Sequence, residues 1–276
     1  MAKQTVNGVE IAYELLGSSG DPVVLVHGSL VDRRSWGSMA SALAQSMQVV
    51  VYDRRGYGES GGAPGAHPVR EDAADLAALL ESIDVHPAHV VGHSYGGAVG
   101  LRLAIDRPEL VRGLAVHEVP FIGLLADDPA TAAAGSEMLA GARSLREEVR
   151  AGRRDAAAEQ LVQLFSAEPG AWGRLSAPGR GEIVRSLDAW VAEYGDPDAL
   201  RPDESGCRDL LLPVLLTTGS QSPRFLHGIT RALADLLRSV TVVEISGAGH
   251  SPQFGRADAY VGILLSYLLE RNVPVH

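Results

Sequence analysis

Short apolar runs bounded by turn residues recur along the chain and predict a set of strands. In most of them the hydrophobic residues are continuous rather than alternating, which is typical of buried strands covered on both faces of a sheet. The runs are Pro22–Val26, Val49–Tyr52, Ala88–Val91, Val111–Val116, Pro213–Thr218 and Val240–Ile245.

Segments with helical periodicity lie between these runs. Residues 36–46 and 70–84 have apolar positions on one face, and Ala98–Ile105 continue as a helix after the third run. Tyr260, Ile263, Leu264, Tyr267 and Leu268 mark a last amphipathic helix. Strands that alternate with helices predict an α/β protein with a mostly parallel, doubly wound sheet.

Two segments depart from this pattern, one near the start of the chain and one before the last two strands. Near the start, Gln4–Val6 and Val9–Glu14 flank Asn7-Gly8, a strong signal for a two-residue hairpin. Residues 120–208 are rich in Ala, Arg and Glu, have helical periodicity and contain no convincing buried strand. We therefore expect a core domain of residues 1–119 and 209–276, with a helical insertion at 120–208 before the last two strands.

Composition narrows the function classes. The chain has 276 residues, 46% of them hydrophobic, and a formal net charge of −10, which argues against nucleic acid as a partner because phosphate binding needs a basic face. The single Cys207 cannot form an internal disulfide, and neither a signal peptide nor a membrane span is predicted. We expect a cytoplasmic enzyme that acts on a small molecule and can form a homo-oligomer.

The most specific motif is Gly92–Gly96, which reads Gly-His-Ser-Tyr-Gly directly after a buried strand and before a helix. This context is the one a nucleophile elbow requires, in which a sharp strand-to-helix turn lifts the hydroxyl of Ser94 clear of the sheet. The plain alternative is a glycine-rich turn with an incidental serine. The flanking strand and helix favour Ser94 as the nucleophile.

A serine nucleophile needs an adjacent base, and His250 is the best candidate. It lies in a glycine-rich loop after the last strand, where parallel sheets collect their active sites. His93 is expected to point away from the serine, and His27 to hold the loop after its strand by a hydrogen bond. Surface or loop positions are expected for His67, His86, His89, His227 and His276.

An acyl-transfer transition state also needs two donors for its oxyanion. The backbone N–H of Tyr95, directly after the nucleophile, is one candidate. The second is expected in the loop after Pro22–Val26, either at Ser29 or, if the turn is one residue longer, at Leu30.

Together these motifs resemble the α/β-hydrolase superfamily, and within it the cofactor-free haloperoxidase and aryl-esterase group. The resemblance rests on His27-Gly28 with Trp36 nine residues beyond His27, on Tyr52–Gly58, on the elbow, and on Gly247–His250. It implies the order of nucleophile first and histidine last, and a helical insertion that acts as a lid. It implies neither a cofactor nor a metal. Lid aromatics that could line a substrate pocket are Phe121, Trp172, Trp190 and Tyr194.

The acid of the triad departs from the usual pattern of the superfamily. Most members place it shortly after the strand that ends here at Thr218, but Gly219–Pro223 contains no carboxylate. Some members place the acid one strand earlier, and that strand is followed here by Glu118. Asp209 precedes its strand and so lies at the wrong end of the sheet. Glu118 is therefore the predicted acid, with a pocket-wall or lid-hinge carboxylate as its alternative role.

These residues predict a serine hydrolase that cleaves carboxylic esters or lactones through an acyl-enzyme. Carbon–carbon bond hydrolysis and non-hydrolytic acyl transfer or cyclisation by the same serine stay open as alternatives, as does a small-molecule receptor with slow residual turnover. Dehalogenase and epoxide-hydrolase activities are disfavoured, since those relatives need an aspartate where Ser94 stands.

Overall fold

A computed structural model describes residues 1–62, 68–126, 131–166 and 169–270 of the chain. Within these ranges the strands form one eight-stranded sheet. The strands are β1 (Ala2–Val6), β2 (Val9–Leu16), β3 (Pro22–Val26), β4 (Gln48–Tyr52), β5 (Ala88–His93), β6 (Val111–His117), β7 (Val214–Gly219) and β8 (Val240–Ile245).

The sheet has the order β1-β2-β4-β3-β5-β6-β7-β8. Strands β1 and β2 form the predicted hairpin, in which Val6 pairs with Val9 and both Asn7 and Gly8 have positive φ. Strand β2 is antiparallel to β4, and every later neighbour pair is parallel. The predicted α/β architecture with a mostly parallel, doubly wound sheet is confirmed. Its parallel strands bring their carboxyl ends to one edge.

Helices cover both faces of the sheet. Helices α2 (Val69–Ser82) and α3 (Tyr95–Asp106) pack against one face through Leu76 and Val99. The first and last helices pack against the other face through Met39 and Leu264. The helices outside the segment between β6 and β7 are α1 (Gly37–Leu43), α2 (Val69–Ser82), α3 (Tyr95–Asp106), α11 (Arg224–Leu236), α12 (Pro252–Gly255) and α13 (Ala257–Glu270).

The segment between β6 and β7 is helical over its described residues, 118–126, 131–166 and 169–213, which contain no strand. It begins with a short 3₁₀ helix at Ile122–Ala126. Its α-helices are α4 (Ala132–Arg150), α5 (Arg154–Phe165), α6 (Ala171–Arg174), α7 (Ala177–Arg185), α8 (Leu187–Glu193), α9 (Pro197–Leu200) and α10 (Glu204–Asp209). None of the helices in the described ranges is long and apolar enough to cross a membrane.

The histidines predicted to be peripheral do not share one environment. His86 is exposed, and His67 and His276 lie outside the described residues. His89 corrects the prediction, because it is the second residue of β5 and only 1% exposed. Its ring fits there because its neighbour on β6 is Gly113, where an added Cβ would come within 2.9 Å of Nδ1.

Candidate active site

The turn after β5 holds Ser94 in a conformation that most residues avoid. Ser94 has φ 52° and ψ −122° and directly precedes α3. A Cβ at Gly92 would come within 2.5 Å of the Gly96 carbonyl oxygen, and one at Gly96 within 2.2 Å of that of Val26. The glycines therefore permit the close approach of strand, turn and helix on which the elbow depends.

The carboxyl ends of β5 and β6 are tied together beside this turn. The Ser94 amide donates to the His117 carbonyl at 2.8 Å. The next residue, Glu118, is buried and has φ 48°, a left-handed conformation that a glutamate seldom adopts. This strained backbone conformation sets the direction in which the Glu118 side chain leaves the strand end.

The Glu118 carboxylate contacts the ring of His250. Oε2 lies 2.8 Å from His250 Nδ1, across 132 residues of sequence. Oε1 accepts hydrogen bonds from the Thr218 hydroxyl at 2.6 Å and from the Gly219 amide at 2.9 Å. The end of β7, which lacks a carboxylate of its own, thus supplies two donors that fix the carboxylate from β6.

Glu118 stays ionised in this environment. Burial alone would raise the pKa of its carboxyl group, but hydrogen bonds and charge interactions with His117 and His250 hold that pKa far below its ordinary value. The Nε2 atom of His117 lies 3.5 Å from Glu118 Oε2. An ionised acceptor on Nδ1 leaves Nε2 of His250 as the nitrogen that can accept a proton.

His93 and His27 hold the backbone around the site. Nε2 of His93 donates to the His250 carbonyl at 2.7 Å, which ties the His250 loop to the end of β5. Nδ1 of His27 donates to the Gly28 carbonyl at 2.8 Å, and Nε2 accepts from the Arg54 amide at 3.0 Å, as predicted for a loop-holding histidine. Burial, together with the charge of Arg54, lowers the pKa of His27 to about 3.

The candidate oxyanion donors lie on both sides of the serine. Tyr95 is the first residue of α3, so its N–H belongs to the first turn of that helix. Ser29 and Leu30 line the same cavity as Ser94, and Leu30 has φ 66°. A Cβ at Gly28 would come within 3.1 Å of the Ser94 Cβ, so this loop approaches the serine closely.

A cavity of about 340 Å³ opens over Ser94 and His250. Its upper wall comes from the segment between β6 and β7, and Phe165 at the end of α5 stacks on the His250 ring with centroids 5.2 Å apart. No Asp, Glu, Lys or Arg is found among its described lining residues. These are Ser29, Leu30, Val31, His93, Ser94, Leu161, Val162, Phe165, Ser166, Leu175, Ile183, Trp190, Tyr194, Gln221, Gly249, His250, Ser251 and Phe254.

Of the aromatic residues expected in the pocket, Trp190 and Tyr194 line it, and Phe121 and Trp172 do not. Phe121 is 2% exposed and borders a separate cavity beside α2 and α3. Trp172 borders a groove on the outside of α7, where the Arg180 guanidinium lies 5.9 Å from its ring centroid. The sequence shows which residues are aromatic, but not which face of a short helix points inwards.

Two side chains near the site, Phe165 and Glu193, are not predicted from the sequence. Phe165 has no local motif. Glu193 is fully buried at the end of α8, on the stripe that it shares with the buried Leu187 and Trp190. A carboxylate at that spacing on an apolar stripe is the signal that could have identified it.

The site also has the donors of a small metal centre. Ligand atoms of His117, Glu118 and His250 lie within 4.8 Å of one another. However, the Glu118 carboxylate is already in contact with the His250 ring, since Nδ1 lies 2.8 Å from Oε2. A metal here and a histidine base held by a carboxylate would therefore exclude each other.

Comparison with known proteins agrees with the fold. The family described as having the alpha/beta hydrolase fold matches residues 21–257. A Yersinia enterocolitica protein named as a carbamate hydrolase, RutD, is 28% identical over 93% of this chain and 91% of its own length. A thermophilic esterase from Thermogutta terrifontis superimposes with a TM-score of 0.76 and 26% identity, covering 97% of this chain and 96% of the esterase.

One further relative matches only a part of both proteins. The acetyltransferase component of an acetoin cleaving system from Pseudomonas putida is 36% identical over 154 residues, which are 56% of this chain and 38% of that protein. The chain thus spans less than half the length of this relative.

Proposed function

This chain belongs to the α/β-hydrolase family, and on that premise we propose that it is a serine hydrolase of neutral carboxylic esters or lactones. The observation that carries the proposal is the 2.8 Å contact between His250 Nδ1 and Glu118 Oε2, beside a cavity that Ser94 and His250 both line. Nucleophile, base and orienting acid thus come from three strand ends at one edge of the sheet.

In the proposed reaction the Ser94 hydroxyl attacks the carbonyl carbon of the substrate and gives its proton to His250 Nε2. Glu118 fixes the tautomer and stabilises the imidazolium. The amides of Tyr95 and of Ser29 hold the oxyanion of the tetrahedral intermediate. Collapse of the intermediate breaks the ester bond, and the leaving oxygen takes the proton from His250. In the second half of the reaction, water gives a proton to His250 and attacks the carbonyl carbon of the acyl-enzyme. The Ser94 oxygen then leaves and takes the proton from His250.

The cavity favours an uncharged substrate with apolar groups. Its described lining offers aliphatic and aromatic side chains and no cation that could pair with a substrate carboxylate. A protein with a formal net charge of −10 gives anions no electrostatic advantage either. At about 340 Å³, the cavity is at the small end of the range for ligand pockets.

In this proposal the segment 120–208 acts as a lid, and residues 1–119 and 209–276 form the catalytic core. The support is that Leu161, Phe165, Trp190 and Tyr194 of the segment form the wall opposite the serine. Carbamates are a second candidate substrate class, because the Yersinia enterocolitica relative matches nearly the whole of both chains. The same serine and histidine would serve that reaction.

The test is a substrate panel with one assay for each class. We expect rapid turnover of neutral p-nitrophenyl esters or aliphatic lactones, with little turnover of fluoroacetate. Preferred turnover of a carbamate would move the protein to the second class. Tight binding of a ligand with negligible turnover throughout the panel would contradict the proposal and favour a receptor.

A further inference from the structure

We propose that Glu193, contributed by the segment between β6 and β7, is a positioning residue that holds the two oxyanion donors in place. The inference rests on the proposed function, since it assigns Glu193 a role through the amides of Ser29 and Tyr95. It makes the segment part of the catalytic geometry and not only a cover over it.

Glu193 is fully buried, and its carboxylate accepts three hydrogen bonds from the core. The Ser29 hydroxyl donates to Oε2 at 2.5 Å. The Arg54 guanidinium donates to Oε1 at 2.6 Å, and the Tyr57 hydroxyl donates to the same oxygen at 2.8 Å. These three partners lie at least 136 residues away in the sequence, so the contact is a tertiary latch between the segment and the core.

The first arm of this latch reaches one proposed donor directly. Ser29 lines the cavity, and its side-chain hydroxyl donates to Glu193. Leu30, the next residue, has φ 66°, a conformation that costs free energy for a branched side chain and needs support from its surroundings. The hydrogen bond from the Ser29 hydroxyl supplies such support.

The second arm runs through Arg54. Its guanidinium donates to the carbonyls of His27 at 3.1 Å and Gly28 at 3.3 Å, the two residues that precede Ser29. The same group lies 4.5 Å from the ring centroids of Tyr57 and Tyr95. Arg54 therefore contacts the chain behind one donor and the side chain of the other.

Glu193 is needed to balance the buried positive charge of Arg54 and so to keep its guanidinium in position. The guanidinium is fully buried and has two carboxylate partners, Asp72 at 3.1 Å and Glu193 at 2.6 Å. A buried cation is held in place by its counter-charges, and the loss of one partner allows it to shift towards the other. Without the charge of Glu193, Arg54 would move towards Asp72, away from the carbonyls and the ring that it supports.

The decisive variant is Glu193→Gln, which keeps the size of the side chain and an acceptor oxygen but removes the charge. We expect kcat for a neutral ester to fall about ten- to a hundredfold, because a misplaced oxyanion donor weakens only the transition state. KM should change by less than about threefold. Affinity for a trifluoromethyl ketone, which forms an oxyanion when Ser94 adds to its carbonyl, should fall by the same factor as kcat/KM.

Glu148→Gln is the matched control, since Glu148 lies on the same segment and pairs with Arg153 at the surface. It should leave kcat and inhibitor affinity unchanged. A second variant, Ser29→Ala, removes only the hydroxyl of the latch and should lower kcat with KM retained. The hydrogen bond from Ser29 to Glu193 is the contact that the two variants share, so their losses should be less than additive in the double variant Ser29→Ala/Glu193→Gln.

Each outcome decides between the alternatives. Suppose that Glu193→Gln lowers the melting temperature and raises KM and the dissociation constant of the ketone by the same factor. Glu193 would then make only a structural contact between the segment and the core. Unchanged kcat in Ser29→Ala would overturn the inference even if Glu193→Gln failed to fold. If the wild-type protein neither turns over esters nor binds the ketone, the proposed function itself fails, and the inference fails with it.

Discussion

The carboxyl edge of the sheet and the helical segment between β6 and β7 meet at one cavity, but they contribute different chemistry to it. The edge supplies polar groups in fixed positions: Ser94 in a strained turn, and Glu118 bound to His250, Thr218 and Gly219. The segment supplies mainly apolar surface, such as Leu161, Phe165 and Trp190.

This difference separates reactivity from selectivity in the molecule. Strand ends are held by the hydrogen-bonding register of the sheet, and further hydrogen bonds such as those from Thr218 and Gly219 to Glu118 fix the groups placed there. The segment is joined to the core by packing and by polar contacts at the surface, such as that between Arg70 and Asp198, and its latch at Glu193 is fully buried. We therefore expect substitutions at the edge to change rate, and substitutions in the apolar wall of the segment to change substrate preference. Glu193 is the exception in the segment, because its contacts reach the edge.

The largest effect is expected at the nucleophile. Ser94→Ala should lower kcat by on the order of a millionfold, because the loss of a triad serine removes the covalent route. The fold should survive, since the close approach at the elbow depends on Gly92 and Gly96. Steady-state kinetics with a p-nitrophenyl ester measure the fall in kcat, and circular dichroism measures whether the fold is kept. A purified variant that kept a tenth of the wild-type rate would exclude the acyl-enzyme mechanism.

The next effect tests which group at the edge serves as the acid. Glu118→Gln should lower kcat by roughly 10³–10⁴, since a neutral amide cannot stabilise the imidazolium. Gln221→Ala is the control, because Gln221 lines the cavity on the β7 side without the contact to His250 Nδ1. Its loss should be about tenfold or less. Comparable losses in both variants would move the acid function away from Glu118.

Most of the sheet, its polar edge and the helical character of the segment were predictable from the sequence, but the packing of the segment's helices was not. Buried strands have continuous apolar runs, and the glycines at the two ends of Gly92–Gly96 form a motif that is visible in the sequence. Glu118 was reached through the absence of a carboxylate at Gly219–Pro223. In the segment, by contrast, Trp172 and Trp190 look alike in sequence. Their different positions depend on how several short helices pack on the core, which no local pattern specifies.

A smaller effect should distinguish those two tryptophans. Trp190→Leu enlarges the cavity and should shift preference among p-nitrophenyl esters towards longer acyl chains by about tenfold, since each methylene is worth about 1–3 kcal/mol in a hydrophobic pocket. Trp172→Leu, in the groove outside α7, should leave the preference unchanged. Ratios of kcat/KM along a chain-length series measure the shift. If both variants scale all esters equally, the segment does not select the acyl chain.

The smallest effect concerns the amino end of β5, at the opposite edge from the site, where His89 is buried and its ring nitrogens have no hydrogen-bond partner among the described residues. Burial lowers the pKa of this histidine from 6.5 to about 4. Between those pH values the unfolded chain binds a proton that the folded protein excludes, so His89 destabilises the fold as the pH falls below about 6.5.

Replacement by His89→Leu should remove this contribution. Between pH 7 and pH 5.5 we expect the free energy of unfolding of the wild-type protein to fall by about 1 kcal/mol more than that of the variant. Urea denaturation at several pH values measures the difference, and His86→Leu, at an exposed position nearby, is the control. Parallel curves for wild type and His89→Leu would mean that the ring finds a proton acceptor. The polar groups at the amino end of β5 would then have hydrogen-bond partners, as those at its carboxyl end do.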